Sequence, residues 1–343
     1  MIRIGVIGYG YWGPNLVRNF YETPDAEVAC VSDLRAPRLK QVQGRYPTIR
    51  VTESHRELID DPGVDAVVIA TPVSTHFDLA LRALQAGKHV FVEKPLASTS
   101  EQVLRLIDAA QKADRTLMVD HTFVYTGAVR KIRELIDDGS LGEIYYYDST
   151  RINLGLFQHD VNVIWDLAVH DLSIMDYVLP DRPVAVSATG LSHVDGGTEN
   201  MAFMTLFFGG NQIAHIHVNW LAPVKVRRTL IGASKKMIVY DDLEQSEKIK
   251  VYDKGITLNR QQDPEKIYQV LVGYRTGDMM APNLDMSEAL RVEAAHFVRC
   301  LEEKKQPLTD GHAGLRVVQI LEAATESMSN RGRPVELPAA TRS

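Results

Sequence analysis

The residues best suited to proton and charge chemistry lie in two stretches, far apart in a chain of 343 residues. The first, His89-Val-Phe-Val-Glu93-Lys94-Pro95, is an apolar β-branched run that ends on a carboxylate and a lysine. At the carboxyl edge of an open parallel sheet, a lysine points its charge into the ligand crevice. On position alone, a solvated strand end explains Lys94 as well or better. The second stretch is Trp165-Asp166-Leu-Ala-Val-His170-Asp171. On a helix, Asp166 and His170 are four residues apart and share one face. A histidine that stays neutral near pH 7 is the usual general base. A carboxylate beside it supports the cationic form or binds a substrate hydroxyl. Taken alone, His170 fits a packed or capping histidine better than a catalytic one.

A third stretch binds rather than reacts. An opening apolar run, Arg3–Ile7, passes directly into Gly8-Tyr-Gly10-Tyr11-Trp12-Gly13 and then Pro14. In a G-x-G-x-x-G turn the glycines permit the tight turn, the close approach of a diphosphate to the backbone, and close helix–strand packing. Pro14 suits the first helical position, and the free N–H groups of that helix end bind the diphosphate. Asp33 follows Gly13 by 20 residues at the end of the next apolar run. A carboxylate there accepts from the adenosine ribose and repels a 2′-phosphate, so NAD is the expected cofactor. Arg35 and Arg38 are near enough to leave NADP open.

These residues need a scaffold. Short apolar runs at Arg3–Ile7, Glu27–Ser32, Ala66–Ala70, His89–Val92 and Thr116–Val119 alternate with helical patterns such as Ser74–Ala86 and Ser100–Lys112. That rhythm predicts βαβ units and a parallel sheet buried on both faces. Beyond a helix at Gly127–Asp138 the texture changes to longer strands: Glu143–Asn153, Val184–Ser192, Ala202–Phe208, Gln212–Leu221 and Val226–Tyr240, with turn signals at 195–197 and 209–211. Helices Ser287–Lys304 and Gly314–Ser329 close the chain. The expected fold is α/β: a doubly wound dinucleotide domain at 1–122, then at 123–343 an α+β domain with a large, mostly antiparallel open sheet for substrate and subunit contacts.

Composition narrows the class. Hydrophobic residues are 45% and charged residues 24% of the chain, as in globular proteins, and the net charge of −6 disfavours nucleic acid or an anionic membrane as a partner. The two cysteines, Cys30 and Cys300, cannot build a disulfide framework. With no apolar run of membrane length and no signal peptide, the expectation is a soluble cytoplasmic protein. His215 and His217 share one face of a strand, but no third ligand accompanies them and no metal site is expected.

The glycine turn, Thr71-Pro72 with His76, Glu93-Lys94-Pro95, and Asp166 with His170 together resemble the Gfo/Idh/MocA oxidoreductase family. The likeness extends from the N-terminus to Asp310-Gly311 and Leu321-Glu322-Ala323, with Ala168 and Ser173 as departures from the commonest pattern. The resemblance implies a catalytic set of Lys94, Asp166 and His170. It also implies cofactor contacts from Tyr11, Trp12, Thr71, Pro72, His76, Glu93 and Lys94 besides the glycines and Asp33. Arg151-Ile-Asn153 and the stretch from Trp220 to Arg228 look like the branch that oxidises the 3-hydroxyl of UDP-N-acetylglucosamine or its uronate. A diphosphate calls for paired cations, for which Arg151, Lys225 and Arg227 are candidates, while Tyr125, Phe157 and Trp165 offer rings to a base or sugar. A free sugar or inositol is the alternative substrate. An NAD-dependent glycosidase and an NAD-binding regulator are rival classes. In this family the second-domain sheet commonly packs on another subunit, so a homodimer or homotetramer is expected.

Overall fold

The structure, a computed structural model, describes residues 1–155, 161–194, 197–259 and 271–338. The chain forms two compact units, one of Met1–Thr126 with Met286–Glu322 and one of Gly127–Asp285 with Ala323–Ser343.

In the first unit six strands, β1 (Ile2–Ile7), β2 (Ala26–Ser32), β3 (Arg50–Thr52), β4 (Ala66–Ile69), β5 (His89–Val92) and β6 (Leu117–Val119), form one sheet. Its order is β3-β2-β1-β4-β5-β6 and its pairings are parallel. Every residue of β4 is buried, as a sheet covered on both faces requires. The crossovers carry α1 (Gly13–Glu22), α2 (Ala36–Arg45), α3 (His55–Ile59), α4 (His76–Gln85) and α5 (Ser100–Ala113). Local signals set their ends. Thr99 caps α5 by accepting from the Gln102 N–H, and Asp114 ends it in the left-handed region. The strand order reverses beside β1, and ligands of doubly wound sheets bind at the carboxyl ends there.

The second unit opens with α6 (Gly127–Asp137), strand β7 (Ile144–Leu154) and α7 (Val169–Val178). Strands β8 (Pro183–Leu191), β9 (Met201–Phe208), β10 (Ile213–Asn219), β11 (Leu221–Ala233), β12 (Met237–Asp241) and β13 (Ile249–Tyr252) follow. A separate hairpin of β14 (Gly255–Asn259) and β15 (Leu271–Arg275) precedes the short β16 (Met279–Met280), and β17 (Val335–Glu336) comes last. The large sheet has nine strands in the order β16-β13-β12-β11-β7-β10-β9-β8-β17. It is antiparallel apart from β10 beside β7. The expected strands Gln212–Leu221 and Val226–Tyr240 are divided differently: β10 stops at Asn219, and a turn at 234–236 separates β11 from β12. Along β7, Tyr147, Ser149 and Arg151 are buried, whereas Phe203 and Phe207 of β9 and Ile213 of β10 are exposed.

The compact units do not follow a single cut at 122/123, because Met286–Glu322 packs with the first unit. Helix α8 (Ala289–Glu303) inserts Phe297 edge-on against Phe20 and Phe91, at ring distances of 6.1 and 5.5 Å. Burying such a ring is worth about 1.5–3 kcal/mol. Arg18 and Asn19 of α1 hydrogen-bond Glu288 just before α8. Helix α9 (Gly311–Ser329) then brings Gly314 against Leu96, where a Cβ would lie 2.7 Å from Leu96 Cδ2.

Candidate active site

In the first unit the glycine turn leaves β1 and opens α1. Gly8 has φ +98°, and a Cβ there would lie 2.5 Å from the Ala70 carbonyl oxygen. One on Gly13 would lie 2.2 Å from the Gly8 oxygen. Neither position has room for a side chain. Gly10 differs: among the described residues only Arg35 Nη2, at 3.8 Å, comes within 4 Å of its virtual Cβ. That open side is where a diphosphate can approach the backbone. Helix α1 carries Pro14 in its first turn, without a side-chain cap and without an acidic residue there. Its orphan N–H groups and dipole are therefore available to an anion. These features fit NAD.

Asp33 is buried at the end of β2. Its Oδ2 accepts from the Tyr9 N–H at 2.8 Å, and its Oδ1 from the Arg35 N–H at 2.9 Å. The Arg35 guanidinium adds two bonds, at 3.0 and 3.1 Å. Burial by itself would raise the Asp33 pKa, but these bonds, with the guanidinium foremost, hold it below the ordinary carboxylate value. The Arg35 side chain is 57% exposed, so it can swing aside when a ribose arrives.

Tyr11 is exposed on the turn, and Trp12 donates its indole N–H to Asp120 Oδ2 at 3.2 Å. The Thr71 hydroxyl pairs with that of Thr75 at 2.7 Å, and the Thr75 hydroxyl donates to the Pro72 oxygen. His76, expected among the cofactor contacts, is 1% exposed. Its ring nitrogens face the Pro95 and Thr71 carbonyl oxygens, each at 2.9 Å. It staples the loop after β4 to the loop after β5 and has no surface to offer a ligand. Glu93 Oε2 accepts from the Lys94 N–H at 3.1 Å. Burial first, and then the facing Asp120, push the Glu93 pKa well up. Tyr125 is also a correction. It is 2% exposed, its hydroxyl lies 3.1 Å from Thr309 Oγ1, and its ring packs on His296. It cannot stack on a substrate. The ends of β1, β2, β4 and β5 thus bring Gly8–Gly13, Asp33, Thr71, Glu93 and Lys94 to one edge of the sheet.

In the second unit Asp166 lies within a π-turn, Ile164–Ala168, that leads into α7. The Val169 N–H reaches back five residues to the Ile164 oxygen, and Asn162 Oδ1 accepts from the Trp165 N–H. π-Turns of this kind occur often at functional sites. The buried Trp220 donates its indole N–H to Asp166 Oδ2 at 3.0 Å, which aims that carboxylate. His170, in the first turn of α7, is partly exposed. Trp165 donates its indole N–H to Thr325 Oγ1 at 3.0 Å and keeps part of its ring exposed, as Asn153 does its side chain.

Two expected diphosphate cations prove to be committed elsewhere. Arg151 is 3% exposed and grips Asp171 with two bonds, at 2.7 and 3.2 Å. Burial would lower its pKa, but the Asp171 charge keeps it above the ordinary value. It is buried structure, not a substrate contact. Arg227 binds Asp242 at 3.2 Å, and Lys248 also pairs with that carboxylate. Lys225 is exposed on β11. Phe157 lies outside the described residues. Phe203 stacks on His217 at 4.3 Å and His215 at 6.2 Å. No group of three or more His, Cys, Asp or Glu suited to a metal occurs among the described residues. Nor, among them, is any helix long and apolar enough to cross a membrane.

Sequence reasoning passed over Asp120, Trp220 as the partner of Asp166, and Asp171. Asp120 carried one signal, a carboxylate directly after an apolar run at the carboxyl edge. Asp171 and Trp220 carried none that is local.

Residues 2–121 match the pattern described as "Oxidoreductase family, NAD-binding Rossmann fold", and residues 133–337 match that family's C-terminal alpha/beta domain. Myo-inositol 2-dehydrogenase of Thermotoga maritima is 25% identical, with 98% of each chain covered. The scyllo-inositol 2-dehydrogenase (NAD(+)) of Bacillus subtilis is 26% identical, covering 98% of this chain and 96% of that one. Among solved structures, UDP-N-acetylglucosamine 3-dehydrogenase from Acidithiobacillus ferrooxidans aligns with a TM-score of 0.79 at 26% identity, covering 96% of this chain and 98% of that one. With a glycine turn that fits NAD and both domain patterns matched, the chain belongs to the Gfo/Idh/MocA oxidoreductase family.

Proposed function

We propose that this chain is an NAD-dependent dehydrogenase that oxidises a secondary alcohol on a sugar or cyclitol ring. The observation that carries the reading is the glycine turn with its open Gly10 and the anchored Asp33, within a chain that matches both family domains. NAD, when bound, supplies the hydride acceptor. His170 acts as general base, taking the hydroxyl proton as the carbon's hydrogen leaves with its electron pair. The Lys94 ammonium offsets the negative charge that gathers on the oxygen during that transfer. Asp166, aimed by Trp220, orients the substrate or supports the imidazolium. Run backwards, the same residues reduce a ketone.

Two finer readings each have support. Oxidation at C3 of a UDP-sugar, such as UDP-N-acetylglucosamine or its uronate, draws on the 26% identity to a UDP-N-acetylglucosamine 3-dehydrogenase and on the exposed Lys225. Oxidation of an inositol or free sugar draws on the two inositol dehydrogenases and on the commitment of Arg151 and Arg227 to carboxylates. We further propose a cytoplasmic homodimer or homotetramer. The two free, buried cysteines and the exposed Phe203, Phe207 and Ile213 support it.

The test is NADH absorbance with purified protein against UDP-sugars, inositols and free sugars. NADH formation with a UDP-sugar alone selects the first reading, and with an inositol or free sugar alone the second. Tight NAD binding without NADH from any substrate would favour a regulator and sink the enzyme reading. Losing a general base costs about 10²–10⁴-fold, so His170→Ala should lower kcat by about that much while still binding NAD. Unchanged turnover would remove His170 from the mechanism. Lys94→Ala should be at least as damaging.

A further inference from the structure

Behind the glycine turn the first unit gathers three carboxyl groups: Glu93 after β5, with its Oε1 buried, Asp120 after β6 and Glu293 in α8. Asp120 is 1% and Glu293 0% exposed. Asp120 is well supplied with donors. The Trp12 indole N–H reaches Oδ2, and the Thr122 N–H reaches Oδ1 at 3.1 Å. The Thr122 hydroxyl also donates to Oδ1. The two glutamates are placed differently. Among the described residues no hydrogen-bond partner meets Glu93 Oε1 or either oxygen of Glu293. What faces both within hydrogen-bonding reach is the Asp120 carboxylate, and the Thr122 hydroxyl also faces Glu293.

Two acceptors that face each other at a buried site call for a proton between them. We infer that Asp120 is a carboxylate hub, a positioning residue that ties the glycine turn to the end of β6 through Trp12 and accepts O–H bonds from Glu93 and Glu293. Burial pushes both glutamate pKa values well above 4.5, and the Asp120 charge adds to the effect. Lys94 also faces Glu93 and pulls the other way, while Tyr125 faces Glu293. The hub joins the diphosphate turn to the carboxyl ends of β5 and β6. Since a dinucleotide spans both halves of such a sheet, the hub holds the turn at a fixed distance from the half beyond β1. This consequence for NAD rests on the proposed function; the shared protons do not.

Amide substitutions test the assignment, because Gln reproduces a protonated glutamate as donor whereas Asn puts a donor where the hub must accept. Infrared spectra near neutral pH should show protonated-carboxyl carbonyl bands, with one missing from Glu293→Gln and one from Glu93→Gln. NAD binding by calorimetry should weaken about tenfold or more in Asp120→Asn, the scale of a lost bond to a charged group. In Trp12→Phe, which removes the indole donor and keeps an aromatic ring, it should weaken by several-fold. In Glu293→Gln, which keeps its bond to Asp120, the change should be within about threefold. Absence of the bands overturns the hub whatever NAD does. So does a Glu293→Gln variant as impaired as Asp120→Asn. If Asp120→Asn does not fold, Trp12→Phe and the bands still decide. Bands present in a wild type that binds no NAD would sink the proposed function and leave the shared protons standing.

Discussion

Asp120 and Asp171 are 1% and 2% exposed, one in each unit, and the protein accommodates them by opposite means. Asp171 is matched by a cation. Arg151 grips it with two bonds, and the Ser149 hydroxyl donates a third at 2.8 Å. Asp120 is surrounded by neutral donors and by two carboxyl groups that must keep their protons. An ion pair holds one charge state across the whole neutral range. A shared-proton cluster holds its geometry only while the protons stay, so it answers to pH and to nearby charge. The first arrangement suits a helix whose position must not change with pH, and the second suits the back of a crevice that admits a charged cofactor.

The largest predicted effect falls on the ion pair. Arg151→Leu strands the Asp171 charge in the interior, which should cost about 3–5 kcal/mol in urea unfolding. A loss under about 1 kcal/mol would mean that Asp171 does not depend on its cation. A smaller effect, but one that separates the two sites, lies in the pH dependence of stability. Glu93 and Glu293 have raised native pKa values, so the native state keeps protons that the unfolded chain releases above about pH 4.5. Their contribution is complete below that pH and is lost as pH rises toward the native values. The double variant Glu93→Gln/Glu293→Gln should therefore flatten the decline of Tm with rising pH. An unaltered slope would break the contrast between the sites.

The smallest effect concerns His89, a half-buried group whose burial outweighs the nearby Asp65 and Asp114 carboxylates. Its Nδ1 accepts from the Thr116 N–H at 3.0 Å. Burial, and then the nearby Arg115, push its pKa from 6.5 down to about 4. Because the unfolded chain takes up the proton first, stability should fall as pH drops from 6.5 toward 4. A His89→Gln variant with the same acid slope as wild type would contradict this.

What could be read in advance was what neighbours in sequence decide. The glycine turn, Pro14, Asp33 and the alternating runs of the first unit are local features, and they announced a dinucleotide fold. Arg151 was misread because a cation on a strand looks the same whether it meets solvent or a buried partner. Its partner lies 20 residues away on α7. The period of two through Tyr147, Ser149 and Arg151 held the signal, masked by polar residues on both faces of β7. Tyr125 and His76 are kept from ligands by packing that no spacing reveals. The return of Met286–Glu322 to the first unit rests on contacts such as Phe297 with Phe20, across most of the chain.

The wide turn at Ile164–Ala168 is, in geometry, a helix that has taken in one residue more than α-winding holds. The extra residue is absorbed on the spot, so α7 beyond it keeps its phase and its packing. Loss of a single codon here is therefore expected to change which side chains stand beside His170 while α7 keeps its winding. Side chains can be exchanged at this point while the scaffold is left alone, which gives descent a cheap place to vary this end of α7.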